Sequence, residues 1–135
     1  MDLALIAYDR KSFKLEFAGA YNPLYIVRKG EVIIYKGDRN AIGMSVLEQK
    51  KPFTNIAVDI SPGDMIYMCS DGYADQFGGS EGAKFKSVNI RRILSEIWSM
   101  PVQLQKERLE KEFMDWKGDL PQVDDVMFIG TKVTG

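Results

Sequence analysis

The residues best suited to chemistry in this sequence are three aspartates at the ends of two apolar stretches. Asp71 follows the apolar run at residues 65–69, whereas Asp124 and Asp125 precede a second apolar run. A strand end holds a carboxylate rigidly, and Gly72 next to it allows positive φ or the close approach of another backbone. Carboxylate oxygens are preferred ligands of hard divalent cations such as Mg²⁺ and Mn²⁺. We therefore predict that the two stretches meet and that their aspartates bind metal.

The composition excludes several other kinds of catalytic site. The chain has 135 residues, no histidine and a single cysteine, Cys69. Without histidine it forms no Ser-His-Asp triad and no zinc site that needs imidazole, and one cysteine makes no internal disulfide or Cys-x-x-Cys motif. Cys69 lies within an apolar run, which favours a core position over a reactive thiol. Carboxylates, hydroxyls and Lys or Arg side chains remain, and they suit a divalent metal.

Charge and hydropathy give no reason to expect nucleic acid or an anionic membrane as a partner. The formal net charge is −1, and apolar and charged residues make up 45% and 27% of the chain, as in soluble globular proteins. No apolar run approaches the length of a membrane span, and no charged-then-apolar leader opens the sequence. We expect a single domain and a cytoplasmic location.

The first part of the sequence predicts an antiparallel β-meander. Residues 2–9 are apolar on both faces, which is typical of a covered central strand, so we expect the chain to start inside a domain whose earlier part is missing. Three further strands are predicted at residues 13–18, 24–28 and 31–35, the last two joined by a tight turn at Lys29-Gly30. Connections this short require antiparallel pairing.

The next stretch is predicted to form a hairpin that leads to the first aspartate. A polar connection at residues 48–52 is followed by a strand at residues 53–60. A Ser-Pro-Gly-Asp turn then joins this strand to the buried strand at residues 65–69. We interpret Asp64 as a residue of this turn and Asp75 as an ordinary loop acid.

Two helices and a last strand complete the predicted domain. Residues 76–86 are rich in Gly, Ser and Lys and predict a loop. The first helix is expected to begin with Ser87 as its N-cap, and the second to span about residues 102–116 and end at Gly118. The last strand is predicted at residues 126–133. The fold class is α+β, in one mixed domain.

Several short motifs, in their order along the chain, resemble those of one protein family. They are Phe17-Ala18-Gly19-Ala20-Tyr21-Asn22-Pro23-Leu24, Ala41-Ile42-Gly43, Pro62-Gly63-Asp64, Ser70-Asp71-Gly72 and Gln122-Val123-Asp124-Asp125-Val126. In this combination the chain resembles the C-terminal part of the PPM/PP2C-type protein phosphatases, in particular the bacterial SpoIIE/RsbU-like branch. Ala41 stands where that branch usually has proline, and Met127 where it commonly has threonine.

The resemblance implies a PP2C-like αββα fold, an antiparallel β-sandwich flanked by helices, with residues 1–135 as the C-terminal portion of one phosphatase domain. In that family two Mg²⁺ or Mn²⁺ ions between the sheets activate a water that attacks phosphoserine or phosphothreonine. By motif position Asp71 and Asp124 would be metal ligands, with Asp125 as the alternative to Asp124. The family's metal-bridging acid, in a Gly-Asp motif near the start of the domain, has no counterpart here, so we expect an incomplete site.

The resemblance also implies a role in bacterial signalling. The expected function is that of an output domain whose partner is a phosphorylated protein, such as an anti-sigma-factor antagonist. The alternative is a non-catalytic interaction module derived from the phosphatase fold. An uncovered apolar sheet and a free strand edge would favour such a module, and a homodimer in particular.

Overall fold

The structure is a computed structural model that describes residues 1–43 and 52–135. The predicted polar connection at residues 48–52 therefore lies outside the described residues except for Pro52. The described residues form nine strands and three helices: β1 Leu3–Asp9, β2 Lys14–Ala20, β3 Leu24–Arg28, β4 Glu31–Tyr35, β5 Ile56–Asp59, β6 Met65–Cys69, α1 Asp71–Asp75, β7 Phe77–Gly78, β8 Ala83–Lys84, α2 Lys86–Ile97, α3 Val102–Lys117 and β9 Phe128–Lys132. None of the helices in these ranges is long and apolar enough to cross a membrane.

Seven of the strands form two antiparallel sheets that pack face to face. Sheet A has the strand order β1-β2-β5 and sheet B the order β4-β3-β6-β9, while β7 and β8 form a separate two-stranded ribbon. The turn predicted between β3 and β4 is present: Lys29 and Gly30 have φ of 51° and 86°. Positive φ at both central residues is what the twist of a two-residue hairpin requires. The α+β class with antiparallel sheets is confirmed.

The predicted single meander is wrong because the chain changes sheet three times, between β2 and β3, between β4 and β5, and between β5 and β6. β5 pairs with β2, whereas β6 pairs with β3 and β9. The turn at residues 61–64 therefore joins the two sheets and does not close a hairpin. Burial explains the arrangement, since Leu15 and Phe17 of β2 pack in one cluster with Leu24 and Ile26 of β3. Two sheets facing each other remove both sets of side chains from water.

Among the described residues β1 is an edge strand of sheet A, whereas the sequence predicted a covered central strand. Ala4, Ile6 and Tyr8 are half-buried against the space between the sheets. The alternate residues face outward, and Leu5 is 61% exposed. Apolar residues on the outer face thus produced a two-sided pattern in a strand that the described residues cover on one side only.

The helices cover the other face of sheet B. The second apolar cluster joins sheet B to α2 and α3, and α2 contributes the buried residues Ile90, Ile93, Leu94 and Ile97. Because α2 begins at Lys86, Ser87 lies in its first turn and is not the predicted N-cap. The predicted end of α3 is confirmed, since Gly118 has φ of 52° and its N–H donates to Met114 O at 3.0 Å.

Asp64 fixes the turn between the sheets, at the opposite end of β6 from Asp71. It is only 3% exposed. The Nε and Nη2 of Arg28 donate to its two carboxylate oxygens at 3.0 and 2.7 Å, and Ser61 N donates to it at 2.9 Å. Val133 N also donates to Asp64 O at 2.8 Å. Asp64 is therefore a structural turn residue, as the sequence predicted.

Replacing Asp64 by asparagine should lower the free energy of unfolding by about 1.5–3 kcal/mol, because hydrogen bonds to a buried charged group are lost. Urea denaturation measures the change. The matched control is Asp115→Asn, whose carboxylate pairs with Lys111 on the exposed surface of α3 and should cost less than about 1 kcal/mol. Equal losses in the two variants would contradict the structural role of Asp64.

Candidate functional site

The register of sheet B brings four chain segments together on one side of the sandwich, where β4 and β6 end and β3 and β9 begin. This side is called the aspartate edge, or simply this edge. Cys69, the last residue of β6, lies opposite Phe128, the first residue of β9. Met68 lies opposite Leu24 at the start of β3, and Leu24 also lies opposite Tyr35 at the end of β4. The segments that follow β4 and β6 and those that precede β3 and β9 therefore lie along the same edge.

Asp71 lies at this edge as the first residue of α1, and Ser70 separates it from the end of β6. The sequence predicted a carboxylate held at the end of a strand, next to a glycine. Asp71 is exposed there, and the backbone that follows the strand forms a short helix. The rigid strand is therefore followed by a second ordered element, which fixes the position of Asp71 from both sides.

The residues on either side of Asp71 contact the segment that carries the other two aspartates. Ser70 Oγ donates to Asp125 O at 2.9 Å and accepts from Met127 N at 2.9 Å. A Cβ added to Gly72 would lie 2.5 Å from Asp125 O. The close approach of this backbone, not a positive φ, thus requires glycine at position 72. The two aspartate-bearing stretches meet, as the sequence predicted.

Asp124 and Asp125 lie in the loop that precedes β9, because β9 begins only at Phe128. Adjacent residues of a strand point to opposite faces of the sheet, but this rule does not apply to two residues in a loop. Asp125 N donates to Asp124 Oδ1 at 2.7 Å, and Gln122 Nε2 donates to Asp124 O at 2.8 Å. Both aspartates are exposed, and the loop orders them through its own hydrogen bonds.

The three carboxylates suit a hard cation in their chemistry. Asp71, Asp124 and Asp125 are oxygen donors, and no Lys or Arg in the described part of the chain forms a salt bridge with them. Mg²⁺ and Mn²⁺ prefer such ligands. Residues 1–43 and 52–135 nevertheless contain no group of three or more acidic, His or Cys side chains arranged to hold an ion. The donor type fits a divalent metal, but the described residues do not make a complete site.

Two other side chains near this edge have structural roles. Asp75 forms a salt bridge with Lys84 at 3.1 Å. It is the last residue of α1 and not the loop acid that the sequence predicted, because a short helix forms directly after Ser70. Cys69 is 6% exposed, and burial, with a smaller effect from the charge of Asp71, raises the pKa of its thiol to about 12. A negligible fraction of thiolate is present at neutral pH, so Cys69 is a core residue and not a nucleophile.

The segment after α1 is ordered by Trp116 of α3 and is not the open loop that its composition predicted. β7 and β8 form a short ribbon within it. Gly79 N donates to Trp116 O at 2.8 Å, and a Cβ at Gly78 would collide with the same oxygen. Trp116 Nε1 donates to Gln76 O at 3.1 Å. Glycine here allows a close backbone contact, whereas a glycine-rich composition by itself predicts a loop.

Sequence reasoning missed two residues at this edge. Gln76 is completely buried, and its Nε2 donates to Pro121 O at 2.9 Å. Tyr21 is exposed and has φ of 62°, which is uncommon for a residue other than glycine and costs conformational energy. A lone glutamine in a Gly-rich stretch carries no signal of burial. For Tyr21, the only signal was its position in the first of the family motifs, just before Asn22-Pro23.

The two sheets, the helices on sheet B and the aspartates at one edge define the architecture of the PP2C-type phosphatases. The chain is similar to the SiaA PP2C domain of Pseudomonas aeruginosa, with a TM-score of 0.89 and 33% identity over 97% of this chain and 51% of that one. It is also similar to the phosphatase domain of SpoIIE from Bacillus subtilis (TM-score 0.75, 15% identity, 99% and 59% covered) and to the Mycobacterium tuberculosis serine/threonine phosphatase PstP (TM-score 0.64, 19% identity, 99% and 60% covered).

The family described as stage II sporulation protein E (SpoIIE) matches residues 1–134, and the chain belongs to this family. It spans about half the length of the SiaA domain, 51%. No curated protein sequence matches it.

Replacing Gly72 by alanine tests the contact between the two aspartate segments. We expect a loss of about 1–3 kcal/mol in the free energy of unfolding, because the new methyl group overpacks a backbone that cannot move freely. Amide chemical shifts of residues 124–127 should also change. Gly130→Ala is the control, since its Cβ would meet only the ring of Tyr67, at 2.9 Å. If both variants left the shifts of residues 124–127 unaltered, the contact would not be the one described.

Proposed function

We propose that this chain is the C-terminal portion of the catalytic domain of a metal-dependent protein serine/threonine phosphatase, the output domain of a bacterial signalling protein. The observation that supports this most directly is the hydrogen-bonded junction between the Ser70–Asp71 strand end and the Asp124–Asp125 loop, in a chain of the SpoIIE family. In this proposal Asp71 and Asp124 are metal ligands, and Asp125 is the alternative to Asp124.

The role of this chain is to hold carboxylates in place at an accessible edge. β6 and α1 fix Asp71, while Ser70 fixes the backbone of the opposite loop, so the ligands are arranged before an ion arrives. When bound, Mg²⁺ or Mn²⁺ ions supply an activated water and neutralise charge on the phosphoryl oxygens. Because the described acids do not form a complete group, we propose that activity needs at least one further acid from the rest of the domain.

We propose that the substrate is a phosphorylated regulatory protein, such as an anti-sigma-factor antagonist. The three carboxylates are exposed at the rim of the sandwich, where a phosphorylated side chain on another protein can reach them. SpoIIE of Bacillus subtilis, which shares this fold, is a cell fate determinant, and a regulatory role of that kind supports the proposal by analogy only.

The proposal predicts the behaviour of Asp71→Asn in the full-length protein that contains this chain. Hydrolysis of a phosphoserine peptide with Mn²⁺ should fall by about 100-fold or more, because the loss of a direct ligand should exceed the 10–100-fold effect of residues that only support ligands. The control is Asp75→Asn, which removes an exposed salt bridge and should retain activity within about threefold. Unchanged turnover in Asp71→Asn would show that Asp71 is not a metal ligand.

A second candidate function is a non-catalytic interaction module, which the exposed outer face of sheet A favours. Leu5 is 61% exposed and Leu3 37% exposed on β1, whose outer edge has no strand partner among the described residues. Exposed apolar side chains beside a free strand edge favour self-association. In this alternative the chain forms a homodimer through sheet A.

Sedimentation velocity on this chain over a range of concentrations tests the second candidate. We expect a concentration-dependent dimer that Leu5→Lys weakens, because a charge would be buried in the contact. Leu104→Lys is the control, since Leu104 is 49% exposed on α3, away from sheet A. A monomer at all concentrations, or equal weakening by both variants, would exclude a dimer through β1.

A further inference from the structure

Gln76 stands apart from the other buried polar residues by its location. In the described part of the chain the buried polar or charged residues are Asp64, Gln76 and Gln105. Asp64 binds Arg28 at the far end of the sheet. Gln105 joins α3 to sheet B through Tyr67. Gln76, with no exposed surface, directly follows α1 and lies beside the loop that carries Asp124.

Both ends of the Gln76 side-chain amide bind the residues just before Asp124. Its Nε2 donates to Pro121 O at 2.9 Å and to Phe77 O at 2.9 Å, which uses both N–H groups. Its Oε1 accepts from Val123 N at 3.4 Å. A side-chain amide offers two N–H donors and an acceptor oxygen without a charge, and burial makes the loss of either costly.

The main chain of Gln76 is itself held firmly. Its carbonyl oxygen accepts from Trp116 Nε1 at 3.1 Å and from Phe85 N at 2.9 Å. The rings of Phe85 and Trp116 pack edge to face, with centroids 5.4 Å apart. Gln76 therefore connects the loop at residues 121–123 to α3 and to the start of α2. The loop is held in place relative to both helices.

Gln76 and Ser70 flank the five-residue helix α1, and both reach across to the same loop. Ser70 binds the loop at Asp125 and Met127, whereas Gln76 binds it at Pro121 and Val123. Asp124 lies between the two attachment points. α1 thus sets the spacing of the two attachments, and Asp71 is the first residue of that same helix.

We propose that Gln76 is a positioning residue of the metal site, which holds the 121–123 segment so that Asp124 faces the Asp71 end of α1. The effect of Gln76 on metal affinity rests on the proposed function, because it requires a metal site. The ordering of residues 121–123 by Gln76 does not depend on the proposed function. Gln76 contacts no reacting group and acts through Asp124.

The test compares Gln76→Met with Gln105→Met in the full-length protein that contains this chain. Both changes keep a long unbranched side chain and remove a fully bonded buried amide, so Gln105→Met controls for a general loss of stability. The first readout is hydrogen exchange of peptides that cover residues 120–127, measured by mass spectrometry. The second is binding of Mn²⁺ alone, followed by the electron paramagnetic resonance signal of the free ion.

We expect exchange in residues 120–127 to be at least about tenfold faster in Gln76→Met than in Gln105→Met. We also expect Mn²⁺ affinity to fall about 10–100-fold in Gln76→Met, as for other residues that orient a ligand, and to stay within about threefold in Gln105→Met. If Gln76→Met does not fold, Gln76→Asn replaces it, because that shorter amide cannot reach both Pro121 and Val123. In Gln76→Asn we again expect faster exchange of residues 120–127 and weaker Mn²⁺ binding, with smaller changes than in Gln76→Met.

Equal exchange of residues 120–127 in the Gln76 and Gln105 variants would overturn the positioning role. So would faster exchange with Mn²⁺ affinity unchanged, since Gln76 would then order the loop without affecting the site. A wild-type protein that binds no Mn²⁺ would overturn the proposed function and with it the link to metal. The exchange comparison would still show separately whether Gln76 holds the loop.

Discussion

The contact on which this edge of the molecule depends is the one between Ser70 and the backbone before β9. Its hydroxyl donates to Asp125 O and accepts from Met127 N, and its N–H donates to Met127 O, so the contact between β6 and β9 continues beyond the strand ends. Gly72 completes the contact by allowing the backbone of Asp125 to approach. The three exposed aspartates lie around this junction, and their common position follows from it.

Local patterns in the sequence identified most strands, both long helices and the neighbouring pairs β1-β2 and β3-β4, but not the division of the strands between two sheets. The alternation of buried and exposed residues in β2 and the Lys29-Gly30 turn between β3 and β4 were predicted correctly, because each depends on residues close in the chain. The pairing of β5 with β2, and not with β6, depends on which side chains leave water when two sheets pack. Similarly, β1 is apolar on both faces, and only its neighbours show that one face is exposed.

The three aspartates stood out by their motifs at the ends of apolar runs and not by their chemistry, since the sequence has 19 acidic residues in all. Their role as metal ligands stays a prediction. A chain without histidine and with one buried cysteine leaves carboxylates as its metal ligands, and Asp71 and Asp124 lie in recognisable motifs. The supporting residues could not be predicted in this way. Gln76 is buried by Trp116 and by the loop at residues 121–123, neither of which is near it in sequence, and glutamine is usually a surface residue.

The long sequence separation across the junction affects the order in which the parts of the protein fold during synthesis. Ser70 and Asp125 are 55 residues apart, and contacts between distant residues form late because a long loop must close first. A chain emerging from the ribosome can pair β3, β4 and β6 before the segment with Asp124 has been synthesised. Sheet B would then exist for a time with Asp71 at its edge and no acidic partner. The carboxylates come together only once the last strand is in place.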